Sequence, residues 1–131
     1  MSRRVALCFP RQPLLKERHH CRFLGAELRK VVRELVLGPF QGRPACIRIP
    51  FGEGVCGAAA ASREVQRVED VNAFPGHIAC DSASNSEIVV PLVRDGEVLG
   101  VLDIDSPRLG RFDAEDEAGI VRLAEIILGA I

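Results

Sequence analysis

A chain of 131 residues with 47% apolar and 27% charged side chains is one soluble globular domain's worth, with a single core. No apolar run approaches the roughly 18 residues that a membrane span requires, which excludes a helical membrane protein. The net charge of −1 hides a division: residues 1–37 carry nine Lys/Arg against three acids, and residues 38–131 carry eight against fifteen. A basic head can signal nucleic acid or an anionic surface. This one lacks aromatic interleaving beyond Phe9 and Phe23, so a solvated arm or helix is expected, with no nucleic-acid and no membrane partner.

The opening Met1 to Pro10 has a basic start, a very short apolar patch and no small-residue cleavage site, so no signal peptide is read there. Five cysteines without a secretion signal then point to a reducing, cytoplasmic setting, where thiols serve chemistry or packing. Residues 1–20 hold Pro10, Pro13 and His19-His20 without a sustained period, and an irregular arm is expected. From Phe23 the positions Leu24, Leu28, Val31, Val32, Leu35 and Val36 recur at helical spacing, although Glu34 to Leu37 could instead begin a strand. Gly38-Pro39 stops either element, and the charge shift coincides with it. The chain therefore divides into an atypical basic segment, 1–34, and a better-specified domain, 35–131.

Ala45 to Ile49 alternates as a short strand, ended by Pro50 and Gly52-Glu53-Gly54. Val55 to Ser62 is alanine-rich and reads as a short helix, and Glu64 to Val68 is a brief strand. Asn72 to Asn85 is a polar loop holding Pro75-Gly76, His77 and Cys80. Glu87 to Val93 and Val98 to Asp105 flank an Asp95-Gly96 turn, the strongest short hairpin signal in the chain. Asp113 caps a closing helix whose first turn is acidic and whose stripe Ile120, Leu123, Ala124, Ile127, Leu128 and Ile131 is expected to be buried. Helix, short strands with a hairpin, and a closing helix indicate an α+β domain.

The chemistry-bearing residues lie in one block, with Cys46, Cys56 and Cys80 followed by Glu87, Asp103 and Asp105. No C-x-x-C occurs and His77 stands alone near Cys80, so the spacing argues against a metal site. Cys56, in its alanine-rich helix, reads as a small buried hydrophobe, whereas Cys80 sits in a polar loop with little core to join and reads as an accessible, reactive thiol. Asp103 and Asp105, two apart on a strand, share a sheet face with Leu99 and Val101, and Glu87 opens the partner strand near the same face. Carboxylates on an apolar face must be paired, hydrogen-bonded or protonated. Three of them suit an ammonium group, or one raised-pKa acid among ionised neighbours. The match to G-x-G-x-x-G at Gly52 to Gly57 lacks the strand–helix context and ribose-binding acid of a nucleotide site.

The stretches Gly38 to Pro50, Gly52 to Gly57, Gly76 to Leu92 and Gly100 to Ser106 closely resemble the free methionine-(R)-sulfoxide reductases, small GAF-domain enzymes. The resemblance implies a GAF-like α+β fold with a central, mostly antiparallel sheet and flanking helices. It covers the chain from about Leu35 onward. The family's aromatic N-terminal helix and strand are missing or replaced in residues 1–34, which contain no Trp or Tyr, and Cys8 and Cys21 have no family counterpart. What the family implies for chemistry is that Cys80 attacks the sulfoxide sulfur of free L-methionine (R)-sulfoxide, and that Cys46 resolves the sulfenic acid as a disulfide reduced by thioredoxin. Cys56 is the alternative resolving or attacking thiol. Glu87, Asp103 and Asp105 would bind the amino group and polarise the sulfoxide oxygen. No bound cofactor is implied; thioredoxin is the reductant and protein partner, and a homodimer is left open. The alternatives are a non-catalytic GAF module that binds a small ligand or senses oxidants, and an inactive copy of the reductase.

Overall fold

The computed structural model describes residues 4–10, 33–43 and 46–131. Cys21, Ala45 and the part of the expected helix that precedes Arg33 lie outside the described residues. Six strands are present: β1 (Arg4–Pro10), β2 (Glu34–Gln41), β3 (Arg48–Pro50), β4 (Gln66–Val68), β5 (Ser86–Arg94) and β6 (Glu97–Ser106). They form one sheet in the order β3-β2-β1-β6-β5-β4, with every neighbouring pair antiparallel. Helix α1 (Gly54–Ser62) and helix α2 (Ala114–Ala130) pack on opposite faces. The α+β architecture expected from the sequence is the one observed.

Two expectations about the N-terminal part are corrected. Arg4 to Pro10, read as an irregular arm, is a strand paired on both edges, with β2 on one side and β6 on the other. A strand covered on both faces has no reason to alternate in polarity, so Val5 to Phe9 carries no period-2 signature. Glu34 to Gln41 resolves the open choice between helix and strand in favour of strand. Farther on, β3 begins at Arg48 and includes Pro50, while Ile47 is exposed.

The hairpin matches its sequence signal. Asp95 (φ 52°) and Gly96 (φ 78°) both have positive φ, as a two-residue turn between twisted antiparallel strands requires. Asp113 caps α2 through a reciprocal pair of bonds: the Asp116 amide donates to Asp113 Oδ1 at 2.9 Å, and the Asp113 amide donates to Asp116 Oδ2 at 3.2 Å. The expected buried stripe of α2 is narrower than its periodicity suggested. Only Ala124 is fully buried, Ile120, Val121, Ile127 and Leu128 are half-buried, and Leu123 and Ile131 are exposed. The sheet beneath is short, so α2 overhangs it.

Two cores result. Val90, Leu92, Leu102 and Ala124 lie on the α2 face. Cys8, Leu35, Val89 and Val101 meet Val55, Cys56, Ala59 and Ala60 on the α1 face. The start of α1 is set by a close backbone approach, since a Cβ on Gly57 would lie 2.3 Å from the Pro50 carbonyl oxygen. That contact keeps Cys56 directly above the sheet. Gly57→Ala is expected to destabilise the fold by about 1–3 kcal/mol, as overpacking against a fixed backbone does. Urea denaturation of the two proteins measures it.

Candidate active site

Strand register assembles the site. On the α1 face, Arg4 of β1 and Glu87 of β5 both lie opposite Asp105 of β6, forming one cross-strand row. The next row places Ala6 and Val89 on either side of Asp103. Cross-strand neighbours stand about 5 Å apart, so four ionisable side chains share a few ångströms of buried sheet. Arg4, Glu87, Asp103 and Asp105 are each at least 93% removed from solvent, with exposures of 4%, 7%, 2% and 3%. Arg4 Nη2 lies 3.2 Å from Asp103 Oδ2 and 2.5 Å from Asp105 Oδ2.

One guanidinium cannot keep three buried carboxyls ionised. Burial, followed by Asp103 and Asp105, pushes Glu87 well above its ordinary range. Burial and Asp105 raise Asp103 to about 7, against the opposing pull of Arg4. Asp105 is raised by burial but held back by Arg4 and by a hydrogen bond from Ser84. Burial works against the charge on Arg4, and Asp103 and Asp105 outweigh it, so its pKa is raised. A protonated Glu87 hydrogen-bonds Asp103, which holds a transferable proton inside the pocket at neutral pH.

The thiols divide between rim and interior. Cys46 and Cys80, both half-buried, form a disulfide with their Cα atoms 5.1 Å apart. Cys80 also packs partly against the α1-side core, so it has more apolar surroundings than its polar loop suggested. The loop is tied at both ends. The Gly54 amide donates to the Gly76 carbonyl at 3.2 Å, and the Asn85 amide donates to the Ser106 carbonyl at 2.8 Å. Immediately after Cys80, Asp81 Oδ1 accepts from the Ala83 amide at 2.9 Å, a local turn that fixes the thiol's exit from the loop.

Cys56 is buried as expected, yet its Sγ lies 3.7 Å from Glu87 Oε1 and so belongs to the acid cluster as well as to the core. Burial, then Asp103 and Glu87, raise its pKa well above that of a free thiol. Cys8, beside the same acids, is pushed up to about 12 by burial and Asp103. Both are therefore held as thiols.

All the site residues expected from the sequence except Cys46 line one pocket, and Cys46 reaches it through Cys80. Arg4 and Cys8 were not foreseen as members. A single arginine heading a short apolar run in a basic segment looks solvated, and no local pattern reveals that it faces Asp105. Among the described residues, ligand atoms of Cys56, Glu87 and Asp103 lie within 4.8 Å of one another and could approach a cation, a grouping that spacing did not suggest. Arg4 places a fixed positive charge beside them, which opposes a divalent ion there.

A curled antiparallel sheet between two helices, with a thiol pair opening onto buried acids, defines the class of the molecule. The family model of the GAF domain matches residues 23–131, and the chain belongs to this family, within its free methionine-R-sulfoxide reductase branch. The free methionine-R-sulfoxide reductase of Escherichia coli (strain K12) is 65% identical over 89 residues, covering 68% of this chain and 54% of that protein. The reduced form of fRMsr of Staphylococcus aureus superposes with a TM-score of 0.77 at 43% identity, over 96% of this chain and 69% of that one. The free methionine-R-sulfoxide reductase of Neisseria meningitidis, solved in complex with its substrate, gives a TM-score of 0.78 at 44% identity, over 96% of this chain and 65% of that one. The chain spans 52–60% of the length of four curated relatives that it matches. No helix among the described residues is long and apolar enough to cross a membrane.

The raised carboxyl pKa values have a consequence for stability. The unfolded chain releases the Asp103 proton near 3.8, whereas the folded protein keeps it up to about 7. Across that window the folded state binds the extra proton, so this group's contribution makes stability fall as pH rises and then level off above the window. Asp103→Asn is expected to remove up to about 1.4 kcal/mol per pH unit of that slope. Urea denaturation of both proteins from about pH 4 to 7 tests it, and parallel slopes contradict the assignment.

Proposed function

We propose that this chain reduces free L-methionine (R)-sulfoxide, with Cys80 as nucleophile, Cys46 as resolving thiol and thioredoxin as reductant. The observation that carries the reading is the Cys46–Cys80 disulfide at the mouth of a pocket whose floor is Glu87, Asp103 and Asp105. The names of relatives with high identity support the same activity.

The reaction needs a thiolate, a proton and a second thiol. The Cys80 thiolate attacks the sulfoxide sulfur, one proton is delivered to the oxygen, and the S–O bond breaks. Methionine leaves and Cys80 carries a sulfenic acid. Glu87 and Asp103 are the groups able to supply that proton near pH 7, because burial and mutual repulsion keep a proton on the pair. Cys46 then attacks the Cys80 sulfur and releases water as the disulfide closes. The two thiols of thioredoxin reduce that bond by exchange. Cys56 stays in reserve; its burial beside Glu87 disfavours the thiolate that either role demands. The remaining negative charge on Asp103 and Asp105 suits the ammonium of a free amino acid, which a peptide-bound residue lacks.

With thioredoxin, its reductase and NADPH, the protein is expected to consume the R epimer and spare the S epimer. Cys80→Ser is expected to abolish turnover, and Cys46→Ser to stop after a single turnover with a sulfenic acid trapped on Cys80. One equivalent of substrate should remove a pair of free thiols and release methionine, whereas a purely ligand-binding module would lose none. Equal turnover of both epimers, or undiminished turnover in Cys80→Ser, would falsify the proposal.

A further inference from the structure

We infer that Arg4 is a tethered cation seated on Asp103 and Asp105, so that it competes with the ammonium group of an incoming amino acid and sets how tightly this chain binds its ligand. The inference rests on the proposed reductase reading for the identity of that amino acid. The competition itself follows from the pocket.

Among the described residues lining the pocket, Arg4 is the sole lysine or arginine. It reaches both carboxylates through Nη2 alone, while its Nε and Nη1, and Oδ1 of Asp103, are buried without hydrogen-bond partners. Arginine in a permanent structural pair commonly offers its planar fork to a carboxylate. Here charge holds the guanidinium, and its donors are poorly used. A compact ammonium at the same oxygens would make the same contacts and could also reach the unpaired Asp103 Oδ1. The two cations cannot share the place. About 20 Å³ of free space remains in the pocket, room for roughly one water molecule. Like charges brought together there also repel strongly in a low dielectric.

Arg4 is the first residue of β1, so its side chain can withdraw while the ladder from Val5 to Cys8 stays paired with β6. Ligand binding then draws on the fraction of molecules in which the guanidinium is out, and apparent affinity falls by that fraction. The family match begins at residue 23, so this competitor belongs to the segment that precedes it.

The test follows the cation and the ammonium separately. Wild type, Arg4→Ala and Arg4→Met are melted in increasing methylammonium chloride, with sodium chloride at equal ionic strength as control. The folded variants are expected to gain Tm saturably from methylammonium, and the wild type to respond as it does to sodium. An equal response in wild type, or none in a folded variant, overturns the inference.

A second measurement needs only the wild type. Calorimetric affinities for L-methionine and N-acetyl-L-methionine should agree within about threefold, because an ammonium gains little where Arg4 already sits. A preference of about tenfold or more for L-methionine overturns the inference. In the reductase assay, Arg4→Met should lower KM by about tenfold or more with kcat little changed. Turnover with KM unmoved sinks the competition and leaves the reductase standing. Methylammonium rescue without turnover in any of the proteins sinks the reductase and leaves the competition standing.

Discussion

Three carboxyl groups buried on one sheet face, with a single guanidinium among them, are the constraint around which this molecule is arranged. Two like unit charges about 4 Å apart repel by roughly 4 kcal/mol at an effective dielectric near 20, and burial adds its own penalty to each. The cluster has two ways to lower that cost, and it uses both. Asp103 and Asp105 share Arg4, and Glu87 keeps a proton that it hydrogen-bonds to Asp103. A pocket with a fixed cation, an acid that remains protonated and a carboxylate that does not follows from the register of β1, β5 and β6.

The same electrostatics sorts the cysteines. A thiolate is disfavoured close to carboxylates in a low dielectric, so Cys8 and Cys56, which stand among the acids, are kept as inert thiols. Cys46 and Cys80 lie at the rim, where the loop between α1 and β5 can bring them together and a second protein can reach them. In the proposed reaction the interior therefore supplies protons and charge, and the rim supplies sulfur. Placing the reactive pair on a loop and the acids on central strands joins a mobile step, disulfide exchange, to a rigid electrostatic floor.

The central position of β1 shows what a sheet demands of a strand in that place. The family match starts after it, yet Arg4–Pro10 pairs with both neighbours, because a ladder needs backbone donors and acceptors and apolar side chains on both faces. Val5 and Leu7 face the α2 side, and Ala6 and Cys8 face the α1 side. None of the six chain positions from Arg4 to Phe9 is a Trp or Tyr, so the wall beside the acids is built here from Cys8 and Arg4. A small residue and a long cation replace bulk with charge. This is why the pocket is filled from within.

Local sequence determined the elements whose signals are local. The Asp95-Gly96 turn, the capping box at Asp113, the alanine-rich α1 and the strands flanking the turn all rest on backbone preferences and short periods, and each was legible. Sequence also identified Cys46, Cys56, Cys80, Glu87, Asp103 and Asp105 as the residues of interest, since thiols and acids in one block, two of the acids on one strand face, are unusual in a core. It could not place Arg4, because nothing in residues 1–10 encodes the partner strand or its register, and a two-sided strand hides its own period. Tertiary structure alone decided that this arginine meets Asp105 and that Cys56 touches Glu87 rather than joining the disulfide. Those contacts join positions separated by 101 and 31 residues, and only the closing of the sheet brings such distant side chains within bonding range.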